Sequence, residues 1–362
     1  MDVGLAMSPA PPFAATARRV ARLAGRGIRS FWWPDHLVAF HSRELWATGG
    51  LAAIQPDPHV YGDPFTCMAV CADAAGDALI GVCVTDAIRR SPATLLQTVM
   101  GLDHLAPGRV VLGLGAGESA NYEPYGVSVP SPFRRFEAAS AQIRRFLDDP
   151  GPDENGAVVG LRPPEGSPGP KLWIAAHGPR GLKVAGRYGD GWIPNFLSVD
   201  GWHEGRDAVE AAAVEAGRDP HDISYGLSVQ VVIQETHEEA HRLLEHPILK
   251  AFSLLLPPER YEAVGAAHPL GGGGLRHMVA SRLGEKQLDA ARAVPIELVH
   301  EQILHGTAEE VAEKVRAYRG VDHVVLWDPV PLVDLEAGRV SAEGCVRLAS
   351  LLHETSRVEV AE

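Results

Sequence analysis

Cysteine is scarce in this chain. The four present, Cys67, Cys71, Cys83 and Cys345, form no C-x-x-C pair. That excludes a disulfide framework and offers no cysteine zinc site, so no metal ligand set is expected and a reducing cytoplasm is the expected compartment. Long apolar runs are also missing: no window reaches about 18 uninterrupted apolar residues. The opening stretch "MDVGLAMSPAPPFAATARRVARLAGRG" lacks a charged start followed by an apolar core, so neither secretion nor membrane insertion is expected. Basic residues are in deficit, 33 Lys and Arg against 46 Asp and Glu, and the net charge of −13 repels nucleic acid and anionic membrane surfaces. A small-molecule partner is therefore expected.

With 46% hydrophobic and 22% charged residues, the chain can bury a sizeable core, which excludes global disorder. Its apolar runs alternate with segments of helical period. Strands are expected at 2–7, 30–33, 78–85, 109–115, 171–176, 191–195, 224–233 and 321–328, and helices at 13–27, 92–105, 133–147, 179–187, 201–217 and 307–320. Eight strands alternating with helices predict an α/β fold of the (β/α)8 barrel type, a single domain spanning 1–362. Two stretches break the rhythm: a Pro- and Gly-bearing loop at 37–64 and a segment at 234–300, which read as insertions, the second as a helical lid. The Pro- and Gly-rich stretch 150–170 reads as a surface loop, because the same alternation continues on both sides of it.

In such barrels the active site lies at the C-terminal ends of the strands. The polar residues there are Asp35 and His36 after the second strand, Thr85 and Asp86 after the third, and Glu118 after the fourth. His177 and Gly178 follow the fifth, Asn195 the sixth and Asp328 the eighth. Each alone reads as a loop residue or helix cap; their meeting at one mouth points to a site. The stretch "GLGAGE" carries Gly113, Gly115 and Gly117 as G-x-G-x-G, and no helix follows at once, so a dinucleotide turn is not supported. Glycines at a strand exit instead let a flat ligand lie against the backbone. Pro179 opens the next helix, whose free amides suit a phosphate or carbonyl, with Arg180, Lys183 and Arg187 nearby. Lys183 and Arg187 read equally well as a solvated helix face.

The segments "GVCVTDAIRRSPATLLQ", "RVVLGLGAGESANYEPYG", "LWIAAHGPRGLKVAGRYGDGWIP", "AAHPLGGG" and "ILHGTAEEVAEKV" resemble the luciferase-like superfamily of flavin and deazaflavin enzymes over nearly the whole chain. Within it the likeness runs to the actinobacterial phthiodiolone ketoreductase-like branch that uses coenzyme F420. The resemblance implies a cytoplasmic homodimeric oxidoreductase that transfers hydride from reduced F420 to a carbonyl, imine or activated C=C of a lipid or secondary metabolite. An FMN-dependent monooxygenase on the same barrel is the alternative. It further implies Asp35, His36 and Glu118 beside the reactive carbon, with His36 or Glu118 supplying a proton or Glu118 instead orienting the substrate. Cofactor contacts are implied at Asp35, Val84, Thr85, Ala116, Gly117, Asn121, Ala176, His177, Gly178, Pro179 and Arg180, and a non-proline cis peptide at Cys83–Val84. The tryptophan that follows the histidine in deazaflavin sugar dehydrogenases is absent, with Leu37 to Phe40 in its place, so a phosphorylated sugar is not the expected substrate.

Overall fold

The computed structural model describes residues 1–274 and 278–359. Nine strands form one parallel sheet: β1 Asp2–Ala6, β2 Ser30–Trp33, β3 Leu79–Asp86, β4 Val110–Gly115, β5 Lys171–Ile174, β6 Gly191–Trp192, β7 Ser224–Ile233, β8 Ile303–Gly306 and β9 His323–Trp327. Eight of them close a barrel, running in order from β1 to β7 and then through β9 back to β1. The four-residue β8 is extra; it pairs with the upper half of β7, Val232 opposite His305. The sequence pattern misses β8 because "ILHG" is too short to show a period. The barrel's eighth strand is β9, within the expected stretch 321–328.

Two layers of core explain why the strands read as unbroken apolar runs. Both faces of a barrel strand are covered, by helices outside and by side chains within. The interior is filled by Trp32, Val111, Trp173, Ile193 and Val325, with the Trp32 and Trp173 rings 5.4 Å apart. Glycine makes that room: a Cβ on Gly81 would sit 2.5 Å from the Trp32 ring, and one on Gly191 2.6 Å from Trp173. Below them, Trp32 Nε1 donates to Ser30 Oγ at 2.6 Å, and the Ser30 hydroxyl then donates to His323 Nε2, also at 2.6 Å. Burial pushes the His323 imidazole down to about 4, so it is neutral and can accept that bond.

The two insertions depart from the pattern in different ways. Stretch 37–64 holds the short helix Arg43–Trp46 and ends at a helix not expected from sequence, Pro64–Cys71, capped by Asp63. That helix is apolar nearly all round, burying Phe65, Cys67, Met68 and Cys71, so it carries no 3.6-residue period to read. Between β7 and β8 lie short helices packed on a core of their own, with Ile248, Leu249, Leu254, Tyr261 and Leu298 at its centre. Helix Ala308–Arg316 starts with the expected capping box, Thr307 paired reciprocally with Glu310. Helix Leu335–Glu359 follows β9. Among the described residues no helix is long and apolar enough to cross a membrane.

Candidate active site

The C-terminal ends of the strands open into a cavity of about 600 Å³, a volume in the range of cofactor and substrate sites. All thirteen residues expected at the site line it: His36, Glu118, Asp35, Val84, Thr85, Ala116, Gly117, Asn121, Ala176, His177, Gly178, Pro179 and Arg180. Asp86 and Asn195 join them. Asp328 does not. Its carboxylate turns beneath the last helix, accepting from Val330 N at 3.1 Å and Ser341 Oγ at 2.9 Å, and burial pushes it up to about 6. Lys183 and Arg187 also stay outside the cavity, Arg187 pairing with Glu215 at 3.2 Å.

At the mouth, one amide organises both candidate proton-handling groups. Leu37 N–H donates to Asn121 Oδ1 at 3.1 Å, which fixes which end of the amide is oxygen. Asn121 Nδ2 therefore faces the other way, 2.9 Å from His36 Nδ1 and 3.0 Å from Glu118 Oε2. His36 Nδ1 and Glu118 Oε2 are 3.4 Å apart, with side chains 28% and 36% exposed, so solvent can reach both. The Tyr61 ring stands edge-on to His36 at 6.0 Å. Burial, helped by the Glu118 charge, pushes its phenol up to about 12, so it stays protonated. A side cavity of about 120 Å³ is lined by His36 and Glu118 and walled by Asn121, Pro124 and Tyr125 of "NYEPYG".

Asp35 has a different task. Its carboxylate accepts from Thr85 Oγ1 at 2.6 Å, Arg90 Nε at 3.0 Å and Arg89 Nη1 at 3.3 Å, and Arg89 also binds Asp86 at 2.7 Å. Burial raises this carboxyl, but the two guanidiniums more than offset it and hold Asp35 below the usual carboxylate range. Both oxygens are thus engaged in locking the β2 and β3 exits together. The Cys83–Val84 peptide is cis, as expected, and Val84 lines the cavity beside it.

On the opposite rim, Gly178 precedes helix Pro179–Tyr188 without a side-chain cap, which leaves the first amides open. Arg180 lies over the Phe133 ring at 4.0 Å, and His177 Nε2 donates to the Asn195 carbonyl at 2.8 Å, tying the β5 and β6 exits. Phe40, Phe252 and Leu255 line the cavity from the two insertions, whereas Phe196, Ser228 and Gln230 escaped the sequence reading. Ser228 and Gln230 carried a signal, two polar side chains two apart in the apolar run "SYGLSVQVVI", hence on one face of a strand. Phe252 and Leu255 come from the β7–β8 insertion and line the cavity, whereas Leu254 is buried in that insertion's core.

Residues 2–322 match the family model described as luciferase-like monooxygenase. A phthiodiolone/phenolphthiodiolone dimycocerosates ketoreductase from Mycobacterium sp. (strain JLS) is 35% identical over 337 residues, 88% of this chain and 89% of that protein. A solved F420-dependent secondary alcohol dehydrogenase, in complex with an F420-acetone adduct, superposes with a TM-score of 0.70 at 20% identity, covering 95% of this chain and 98% of its own. The oxygenating constituent of 3,6-diketocamphane monooxygenase from Pseudomonas putida, in complex with FMN, gives 0.67 at 17% identity, with 97% and 98% covered. At these identities the two solved structures establish the shared barrel, while the family model and the mycobacterial relative establish kinship: the chain belongs to the luciferase-like monooxygenase family.

Proposed function

We propose that the chain is an F420-dependent reductase that converts a ketone on an apolar substrate to an alcohol, with His36 as the proton donor. The observation that carries this reading is the Leu37–Asn121–His36–Glu118 set at the cavity mouth. The naming of the 35%-identical relative as a ketoreductase supports it.

The residues present fit a deazaflavin. Gln230 Oε1 is a buried acceptor with no partner among the described residues, on the cavity wall, where a heterocycle bearing N–H groups would satisfy it. The Gly178 backbone faces open space, and the uncapped helix start with Arg180 suits an anionic tail. When bound, the deazaflavin supplies the hydride. Val84, Ala116, Gly117 and Ala176 would give it a smooth wall, while Phe40, Phe252 and Leu255 would shape the apolar end for substrate.

His36 handles the proton through two states of its ring. In the neutral ring Nδ1 accepts from Asn121; in the charged ring Nδ1–H donates to the Glu118 carboxylate, and Nε2–H goes to the oxygen that becomes alkoxide. Glu118 thus stabilises the charged donor and keeps the Nδ1 proton once Nε2 has given up its own, while Asn121 holds the resting neutral tautomer, whose Nδ1 is bare. Asp35, with its oxygens spent on Thr85, Arg89 and Arg90, positions rather than binds. Titrating the protein with F420 and with FMN separately tests the reading: tight F420 binding is expected, and preferential FMN binding with oxygen uptake would replace it by the monooxygenase reading.

A further inference from the structure

A cluster of imidazoles lies away from the cavity, and none of its members lines it. His237 and His241 stand one helical turn apart on helix His237–Leu244, at the start of the β7–β8 insertion. His300 lies in the last turn of the insertion's last helix, Ile296–Gln302, and His305 lies on β8. The His305 ring is 5.2 Å from His237, 5.8 Å from His241 and 5.0 Å from His300, and His241 is 5.0 Å from His300.

We propose that His237, His241 and His305, with His300 as a fourth ligand, form a binding site for a divalent transition-metal ion that fastens the start of the insertion to its end. One ring nitrogen from each of the first three lies within 4.8 Å of the others. A centre equidistant from atoms so spaced is within about 2.8 Å of each, so shifts of under about 1 Å reach the 2.0–2.1 Å of a zinc–imidazole bond. Two of the rings are already held as metal-bound histidines are, with the second nitrogen on an oxygen acceptor. His305 Nδ1 lies 3.2 Å from the Ile303 carbonyl and His237 Nδ1 3.3 Å from the Glu310 carboxylate. Both therefore carry the ring proton on Nδ1 and leave the Nε2 lone pair for a ligand. His300 Nε2 is buried without a partner among the described residues.

The surroundings suit a cation held by neutral imidazoles. Glu310 and Glu297 face the cluster against Lys314, while Glu245 is paired with Lys250 at 2.7 Å. Gly306 has φ +134°, and a Cβ there would collide with the Glu310 carboxylate, so glycine next to His305 is what lets Glu310 reach His237. A clip between residues 237 and 305 closes a long loop, the case in which a cross-link restrains the unfolded chain most.

The test uses the untagged full-length protein, stripped with a chelator and titrated with Zn²⁺ against a chromophoric competitor. One equivalent is expected to bind and to raise the Tm. The exposed positions allow His237→Gln and His241→Ala without disturbing the core, and each is expected to weaken binding at least about tenfold. Glu310→Gln, which keeps the capping box, is expected to weaken it by about 10- to 100-fold, the usual cost of losing a ligand's hydrogen-bond partner. Absence of binding, or affinity unchanged in the His237→Gln/His241→Ala pair, overturns the site; binding with no rise in Tm overturns the fastening role.

Discussion

Asn121 Nδ2 stands 2.9 Å from His36 Nδ1, its orientation set by the Leu37 amide and not by a ligand. On the proposed mechanism Glu118 holds the charged, proton-donating ring and Asn121 the resting neutral tautomer. Glu118→Gln should therefore lower kcat more than Asn121→Ala does. Steady-state kcat of the two variants at one pH checks this, and a larger loss in Asn121→Ala would contradict the assigned roles.

Loss of the donor itself is the larger effect. A positioned general acid contributes about 10²- to 10⁴-fold, so His36→Ala should lower kcat by about that factor. Binding of F420, measured by titration, should persist.

Stability should decline in mild acid, and the shape of the decline can be worked out. Burial pushes His41 down to about 3 and His323 to about 4, from 6.5 in the unfolded chain. As pH falls below 6.5 the unfolded chain takes protons that the folded chain refuses, so stability is lost, by up to about 1.4 kcal/mol per pH unit per group. Asp328 runs the other way: pushed up to about 6 from 3.8, it holds a proton in the folded state that the unfolded chain has released, and so stabilises as pH falls through that window. The two histidines together outrun the one carboxyl, so the net loss from these three groups is nearly uniform, about 1.4 kcal/mol per pH unit between about pH 6 and 4.5. Urea unfolding across this range should show that steady decline, and Asp328→Asn should remove the offset and steepen it.

The barrel interior makes a paired prediction about glycine. At Gly81 an added methyl meets the Trp32 ring at 2.5 Å, so Gly81→Ala should cost about 1–3 kcal/mol by overpacking. Gly101, inside helix Pro92–Asp103, has open space at its Cβ position, so Gly101→Ala should stabilise by about 0.5–1 kcal/mol. Denaturant midpoints of the two variants should move in opposite directions.

What was legible in the sequence follows from what leaves a local trace. Buried parallel strands do so as apolar runs, which is how seven helix-linked strands and the true eighth, β9, were placed near their observed bounds. The polar residues at strand exits do so as well, and all thirteen expected positions line the cavity. Helix Pro64–Cys71 left no period because it is apolar all round, and β8 no run because it is four residues long. Roles were harder to read than positions. Asp35 is committed to Arg89 and Arg90, over fifty residues on, and Asn121 to His36, 85 residues before it; such pairings exist only once the barrel has closed. The four histidines of the proposed metal site fall in two groups some sixty residues apart, a spacing that no short metal-binding motif spans.

The most direct test of the proposed activity mixes the protein with reduced F420 and a panel of apolar ketones in the absence of oxygen, following deazaflavin oxidation and alcohol formation together. One alcohol per deazaflavin oxidised, at a rate that admitting oxygen leaves unchanged and that His36→Ala lowers by about 10²- to 10⁴-fold, is the result expected. No oxidation by any ketone, with oxygen consumed when reduced FMN is supplied instead, would contradict it.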